Sequence, residues 1–220
     1  MNRTGQLWIF DMDGTLFQSE LLAVPAFRTG LERMKAQGMA VPDGITDEQI
    51  AGTFGYTHDV IWEKLMGSRI SAEDQALADR WILEEELEGL KRGSGALYDA
   101  VSETLATLRS EGALLAVASN GQQPYIEGIV EQFGIRELFS GLYSASGYQM
   151  KSKVDLVRLL LEEIPHHKAY MVGDRSSDVE AGRENGLVTV GCAFGFAHDK
   201  ELVHAHYIVT RFPDILTLSV

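Results

Sequence analysis

The sequence predicts an α/β protein built on a doubly wound parallel sheet, with an all-helical unit inserted near its N-terminus. Three observations lead there. A compact apolar run, Leu7 to Phe10, stops at the polar segment Asp11-Met12-Asp13-Gly14-Thr15, as a buried strand feeding a loop does. From about Leu21 to Arg92 apolar residues recur near helical spacing and no strand pattern interrupts them. Beyond Gly93 and Gly95, short apolar runs alternate with helical stretches, the texture of a parallel sheet covered on both faces.

Taken in order, the first strand is Leu7 to Phe10, and Leu22, Phe27, Leu31 and Met34 mark the apolar face of the helix that follows. Val60, Ile61, Leu65 and Met66 repeat that pattern. Two capping signals divide the helical stretch: Thr46 stands three residues before Gln49, and Ser71 three before Asp74. Leu97 to Leu108 reads as a helix, Leu114 to Ala118 as a strand ending at Ser119, and Tyr125 to Phe133 as the next helix. A third strand, Leu142 to Ala145, leads through Lys151 and Lys153 into a helix at about Val154 to Glu163. A fourth, Ala169 to Val172, ends at Gly173-Asp174, and Val188 to Val190 and Tyr207 to Val209 complete the sheet. Right-handed crossovers make the doubly wound arrangement the economical topology.

Composition narrows the partners. With 32 acidic against 19 basic side chains the formal charge is -13, which repels nucleic-acid backbones and anionic lipid surfaces. Neither nucleic acid nor membrane is expected as a partner. An anion site on such a chain must be made locally positive by backbone amides, a lysine or a metal. The single cysteine, Cys192, excludes an internal disulfide and a Cys-rich zinc site and is expected to be buried. Met1 to Phe10 is too short in apolar residues for a signal peptide, so the expected location is cytoplasmic, as monomer or homodimer.

The chemistry gathers at strand ends. Asp11 with Asp13, Ser119, and Asp174 each follow a predicted strand, and ligands of open α/β sheets bind at the carboxyl ends of strands. With Asp11, Asp13, Asp174 and Asp178 in one pocket, each close pair repels by about 4 kcal/mol at intermediate dielectric. Something cationic must hold them together. An all-oxygen donor set without a His or Cys cluster favours Mg²⁺ over zinc, and Lys151 or Lys153 supplies further positive charge.

The run WIFDMDGTLFQSE, the strand end VASNG, Lys151 and the run VGDRSSD together resemble, in order and spacing, the four motifs of haloacid dehalogenase superfamily phosphatases. The branch they look like contains phosphoglycolate phosphatases and β-phosphoglucomutases. The resemblance implies a Rossmann-like core at residues 1–17 and 96–220 and a helical C1 cap at 18–95, hinged near Phe17 to Glu20 and Gly93 to Leu97. It implies that Asp11 is the nucleophile, forming an aspartyl phosphate, and Asp13 the general acid–base. Gly14, Ser119, Asn120 and Lys151 would bind phosphate. Asp174 would ligate Mg²⁺ with the Asp11 side chain and the Asp13 carbonyl, and Asp178 directly or through water. Tyr56, Thr57 and His58, in a turn between predicted cap helices, would reach the leaving group.

One motif departs from the pattern. Where the family usually has lysine followed by proline, this chain has Lys151-Ser152-Lys153. Lys153 is thus an alternative, with Lys151 favoured by its spacing to Asp155 and Leu156. The expected activity is hydrolysis of a small phosphate monoester. A sugar phosphomutase and a noncatalytic phosphate-binding module are the competing readings. The acid at Asp13 disfavours a dehalogenase. Bland readings stand beside these: Ser119 as a helix cap, Asp178 as a first-turn acid of the helix through Ala181, and 55–58 as a plain interhelical loop. No motif names the substrate among phosphoglycolate, sugar phosphates, nucleotides, pyrophosphate and pyridoxal phosphate.

Overall fold

A computed structural model describes residues 3–67, 70–198 and 200–218. Its sheet has six parallel strands in the order β3-β2-β1-β4-β5-β6. They are β1 (Gln6–Phe10), β2 (Leu114–Ser119), β3 (Gly141–Ser144), β4 (Lys168–Gly173), β5 (Val188–Cys192) and β6 (Tyr207–Val209). β1 is central, with Phe10 beside Val117 of β2 on one side and beside Val172 of β4 on the other. The chain winds outward to β2 and β3, then returns to β4, so the winding direction reverses next to the end of β1. That reversal opens a crevice at the strand ends.

Side-chain alternation divides the core. Trp8, Phe10, Leu115, Val117, Tyr170 and Val172 pack on one face, with Leu105 of α5 (Val101–Ser110) and Ile126 and Ile129 of α6 (Gln123–Gln132). Leu7, Ile9, Ala116, Ala118, Ala169 and Met171 pack on the other, with Leu156 and Leu160 of α7 (Lys153–Glu163) and Ala181 of α8 (Ser176–Glu184). Strand residues two apart share a face, and both faces here are covered.

The stretch between β1 and α5 holds α1 (Glu20–Ala36), α2 (Asp47–Ala51), α3 (His58–Met66) and α4 (Ala72–Lys91). These helices bury a cluster of their own, including Phe27, Met34, Phe54, Trp62, Ala78 and Ile82. Both capping signals operate: Thr46 and Gln49 form a reciprocal box, and the Ser71 hydroxyl accepts from the Asp74 amide. The two connections to the sheet run side by side. Gln18 donates its amide to the Ala96 carbonyl (2.9 Å) and its side chain to that of Leu97 (2.8 Å), while the Tyr98 amide donates to Leu16 (3.0 Å). This pairing draws Leu97 and Tyr98 into extended backbone, so α5 starts at Val101 rather than at Leu97 as the periodicity predicts. Among the described residues no helix is long and apolar enough to cross a membrane.

Candidate active site

Asp11 follows β1 directly, Ser119 ends β2, and Asp174 follows β4, so the parallel register brings three chain-distant groups to one edge. The loop after Asp11 turns sharply because Gly14 has φ +74°, and a Cβ there would lie 2.3 Å from Oδ2 of Asp174. Only glycine permits both the conformation and that approach. The Gly14 amide, however, donates to Phe17 (3.0 Å), so Gly14 shapes the phosphate loop without offering its own N–H. The amides of Met12 and Asp13 donate to no other described residue. They are the pair the loop presents to an anion.

Asp11, Asp174 and Asp178 converge, all buried, with one carboxylate oxygen from each within 4.8 Å of the others. Lys153 spans the group, its Nζ donating to Asp11 Oδ1 (2.7 Å) and Asp178 Oδ1 (2.6 Å). This corrects the choice of lysine. Lys153 is the first residue of α7 and is buried, whereas Lys151 lies before the Ser152 cap and is exposed. Starting the helix at 153 gives that position the inward direction. Burial alone would pull the Lys153 ammonium down, but Asp11 and Asp178 hold it above the usual lysine range. It stays charged.

Lys153 leaves most of the negative charge uncompensated. Burial raises the Asp11 carboxyl well above its ordinary range, with Asp178 adding to the effect and Lys153 opposing it. Burial and Asp178 push Asp174 up to about 7, while the Phe196 amide, donating at 2.6 Å, opposes the rise. Thr15 also donates to Asp174, at 3.3 Å. Oδ2 of Asp11 is buried without a hydrogen-bond partner. An orphaned oxygen among three converging carboxylates is the environment a hard divalent cation satisfies, so the donor set fits Mg²⁺.

Asp13 faces the other way. Its Oδ1 accepts from Ser19 (2.5 Å) and Tyr125 (2.7 Å), so its carboxylate lies outside the three-acid cluster. That leaves only its main-chain carbonyl for a share in metal binding. Burial raises its pKa and the two hydrogen bonds restrain the rise, which suits a group that gives and takes a proton. Asp178 joins both readings made of it. It is the third residue of α8 and accepts from the Arg175 amide (2.9 Å), while its other oxygen meets Lys153.

The remaining candidates divide. The Ser119 oxygen accepts from the Gly121 amide (3.0 Å), which leaves its hydroxyl proton for an anion. The Asn120 side chain donates Nδ2 to the Gly55 carbonyl (2.8 Å), tying the end of β2 to the helical region. Tyr56 and His58 line the cavity beside Asp13, and Thr57 lines a neighbouring cleft with His58. Tyr56 packs between the Lys64 and Arg175 cations, and His58 Nδ1 pairs with Asp79 (2.7 Å). Tyr125, Ser19, Thr15, Arg175 and Glu86 escape sequence reasoning. Ser19 and Thr15 lie within the first motif, but nothing local marks Tyr125, whose ring belongs to the apolar face of α6.

A family model described as haloacid dehalogenase-like hydrolase matches residues 8–192. The chain belongs to that family. Over 194 residues the chain is 34% identical to the tyrosine-protein kinase PtkA of Mycobacterium tuberculosis, covering 87% of this chain but only 63% of that protein. It is 27% identical over 210 residues to a phosphoglycolate phosphatase of Vibrio cholerae, covering 91% and 89% of the two chains. Among solved structures, a predicted phosphoglycolate phosphatase from Haemophilus somnus superposes with a TM-score of 0.84 over the whole of both chains at 22% identity, a likeness of fold.

Proposed function

We propose that the protein is a Mg²⁺-dependent phosphatase that hydrolyses a small phosphate monoester through phosphorylated Asp11. The observation that carries the proposal is the state of Asp11, with one oxygen held by Lys153 and the other buried and unpartnered, at the start of a loop whose Met12 and Asp13 amides donate to no other described residue. A carboxylate so held presents a nucleophilic oxygen in a fixed direction. The Asp11 carboxylate attacks phosphorus as the ester P–O bond breaks, and Asp13 gives its proton to the departing oxygen. Asp13, now ionised, takes a proton from the water that cleaves the acyl phosphate, releasing inorganic phosphate and restoring Asp11. Ser19 and Tyr125 keep the Asp13 carboxyl in place through both steps.

Ser119, the two loop amides and Lys153 offset the negative charge of the phosphoryl oxygens. The residues for a metal are Asp11, Asp174 and Asp178, and the chemistry supplied by Mg²⁺ held there is neutralisation between the carboxylate nucleophile and the anionic phosphoryl group. The helices α1–α4 act as a cap that excludes water, held down by Asn120 on Gly55, Arg175 on Tyr56 and Phe54 against Phe196.

The test is phosphate release from a panel of small esters, with Mg²⁺ and with chelator, for wild type and Asp11→Asn. Release that requires both metal and Asp11 is expected. Release that persists in the variant overturns the mechanism, and isomerised sugar phosphate without free phosphate identifies a mutase. Similarity to the tyrosine-protein kinases favours a second reading, in which a phosphoryl group passes to a tyrosine. The cavity beside Asp13 measures about 40 Å³ beneath the helices, which favours small esters. Radiolabel from ATP appearing on protein tyrosine would reverse that preference.

A further inference from the structure

The buried stripe of α4 runs Ala78, Ile82, Glu86, Gly89 and Leu90, small and apolar except for one carboxylate. Helical spacing places that carboxylate on the face packed against α1, and Glu86 is only 7% exposed. It makes no hydrogen bond or ion pair with any described residue, and it lines the cavity beside Asp13. The rest of the wall is apolar, from Phe27, Phe54 and Ile61, or held in other bonds, as Tyr125 is to Asp13 and His58 to Asp79. No lysine or arginine is among the described residues that line it. Two buried carboxyl groups thus face one small space, and the basic side chain among its described lining residues, His58, is already paired with Asp79.

Such an arrangement lowers stability, because a buried acid without a partner is desolvated and uncompensated. It is compensated when something that donates hydrogen bonds enters the cavity. We propose that Glu86 is a specificity residue that selects esters whose leaving group donates hydrogen bonds, ammonium or hydroxyl, and rejects those whose leaving group is a carboxylate. The proposal rests on the phosphatase reading, since Asp13 protonates the ester oxygen and so sets the leaving group between itself and Glu86. A volume of about 40 Å³ holds roughly three waters, which matches a leaving group of a few heavy atoms. A carboxylate there would meet two acids, with His58 already engaged by Asp79, and the loss of its hydration would go largely unrepaid. This separates the protein from its phosphoglycolate phosphatase relatives in substrate while leaving the reaction the same.

The experiment compares four esters with wild type and with Glu86→Gln: 2-aminoethyl phosphate, glycerol 1-phosphate, phosphoglycolate and p-nitrophenyl phosphate. Wild type is expected to favour the amino or glycerol ester over phosphoglycolate by about tenfold or more in kcat/KM. Glu86→Gln is expected to shrink that ratio by about tenfold, most for the amino ester. Ratios between substrates cancel any loss of folded protein, and the wild-type ranking needs no variant at all. Preference of the wild type for phosphoglycolate, or a ratio unchanged in Glu86→Gln, overturns the inference while Asp11-dependent phosphate release from any of the four esters keeps the phosphatase reading. Absence of Asp11-dependent release from all four esters removes both.

Discussion

Two groups of buried acids lie on either side of the Asp11–Asp13 loop, and they are handled in opposite ways. On the sheet side Asp11, Asp174 and Asp178 surround Lys153, and each of the three has at least one charged or main-chain donor. On the helical side Asp13 is held by neutral hydroxyls and Glu86 by nothing. The same residue types serve different ends because their partners differ. Fixed donors orient the first group for reaction and leave one oxygen open, whereas the second group waits for donors that arrive with the substrate.

The largest effect should come from breaking the first group at its centre. Asp11→Asn is expected to lower turnover by at least 10³-fold, read as phosphate release from any ester the wild type accepts, with folding checked by circular dichroism. Next is Lys153→Met, which strands two buried carboxylates and should cost about 3–5 kcal/mol in urea unfolding without metal. Lys151→Met, at an exposed position, should stay within about 0.5 kcal/mol. Equal effects of the two would refute the assignment of Lys153.

The pH dependence of stability separates the regions. Asp11 and Asp174 have folded pKa values above the unfolded carboxylate value, and so does Glu86, mainly through burial and then through Asp13 and Asp79. Between the unfolded value and the raised one the folded protein binds more protons than the unfolded chain, so stability falls as pH rises. Metal-free protein should melt several degrees lower at pH 8 than at pH 5. Saturating Mg²⁺ should remove the part due to the sheet side, and Glu86→Gln should reduce the part due to the helical side, to which Asp13 also contributes. A flat melting profile without metal would contradict both. A small effect on turnover is expected from Tyr125→Phe, which removes one neutral hydrogen bond worth about 1 kcal/mol. That corresponds to roughly a fivefold fall in kcat. The Tyr125 bond holds the Asp13 pKa down, so its loss should also move the pH–rate profile upward, a shift that a purely structural role would not produce.

Much of this was legible in the chain. β1, β2, β4 and β6 lie within one residue of their expected ends, because buried parallel strands read as unbroken apolar runs that stop at polar residues. Asp11, Ser119 and Asp174 were found because each directly follows or ends such a run. The lysine was misplaced because 151 and 153 differ by two positions at a helix start, where the direction of a side chain depends on which residue begins the first turn. Glu86 was invisible for a different reason. On a helix as acidic as α4 one more glutamate reads as surface, and only the packing of α4 over the loop shows it buried.

The sequence by itself determined the fold class and the placement of Asp11, Ser119 and Asp174 at the ends of buried strands. Local periodicity and strand ends carry that information, since they depend on neighbours along the chain. The tertiary structure alone decided which lysine meets Asp11 and Asp178, that the Asn120 side chain reaches Gly55, that Tyr125 donates to Asp13, and that Glu86 lines the cavity. Each of these depends on contacts between residues far apart in the chain, and the direction of a side chain across such a contact is set by packing.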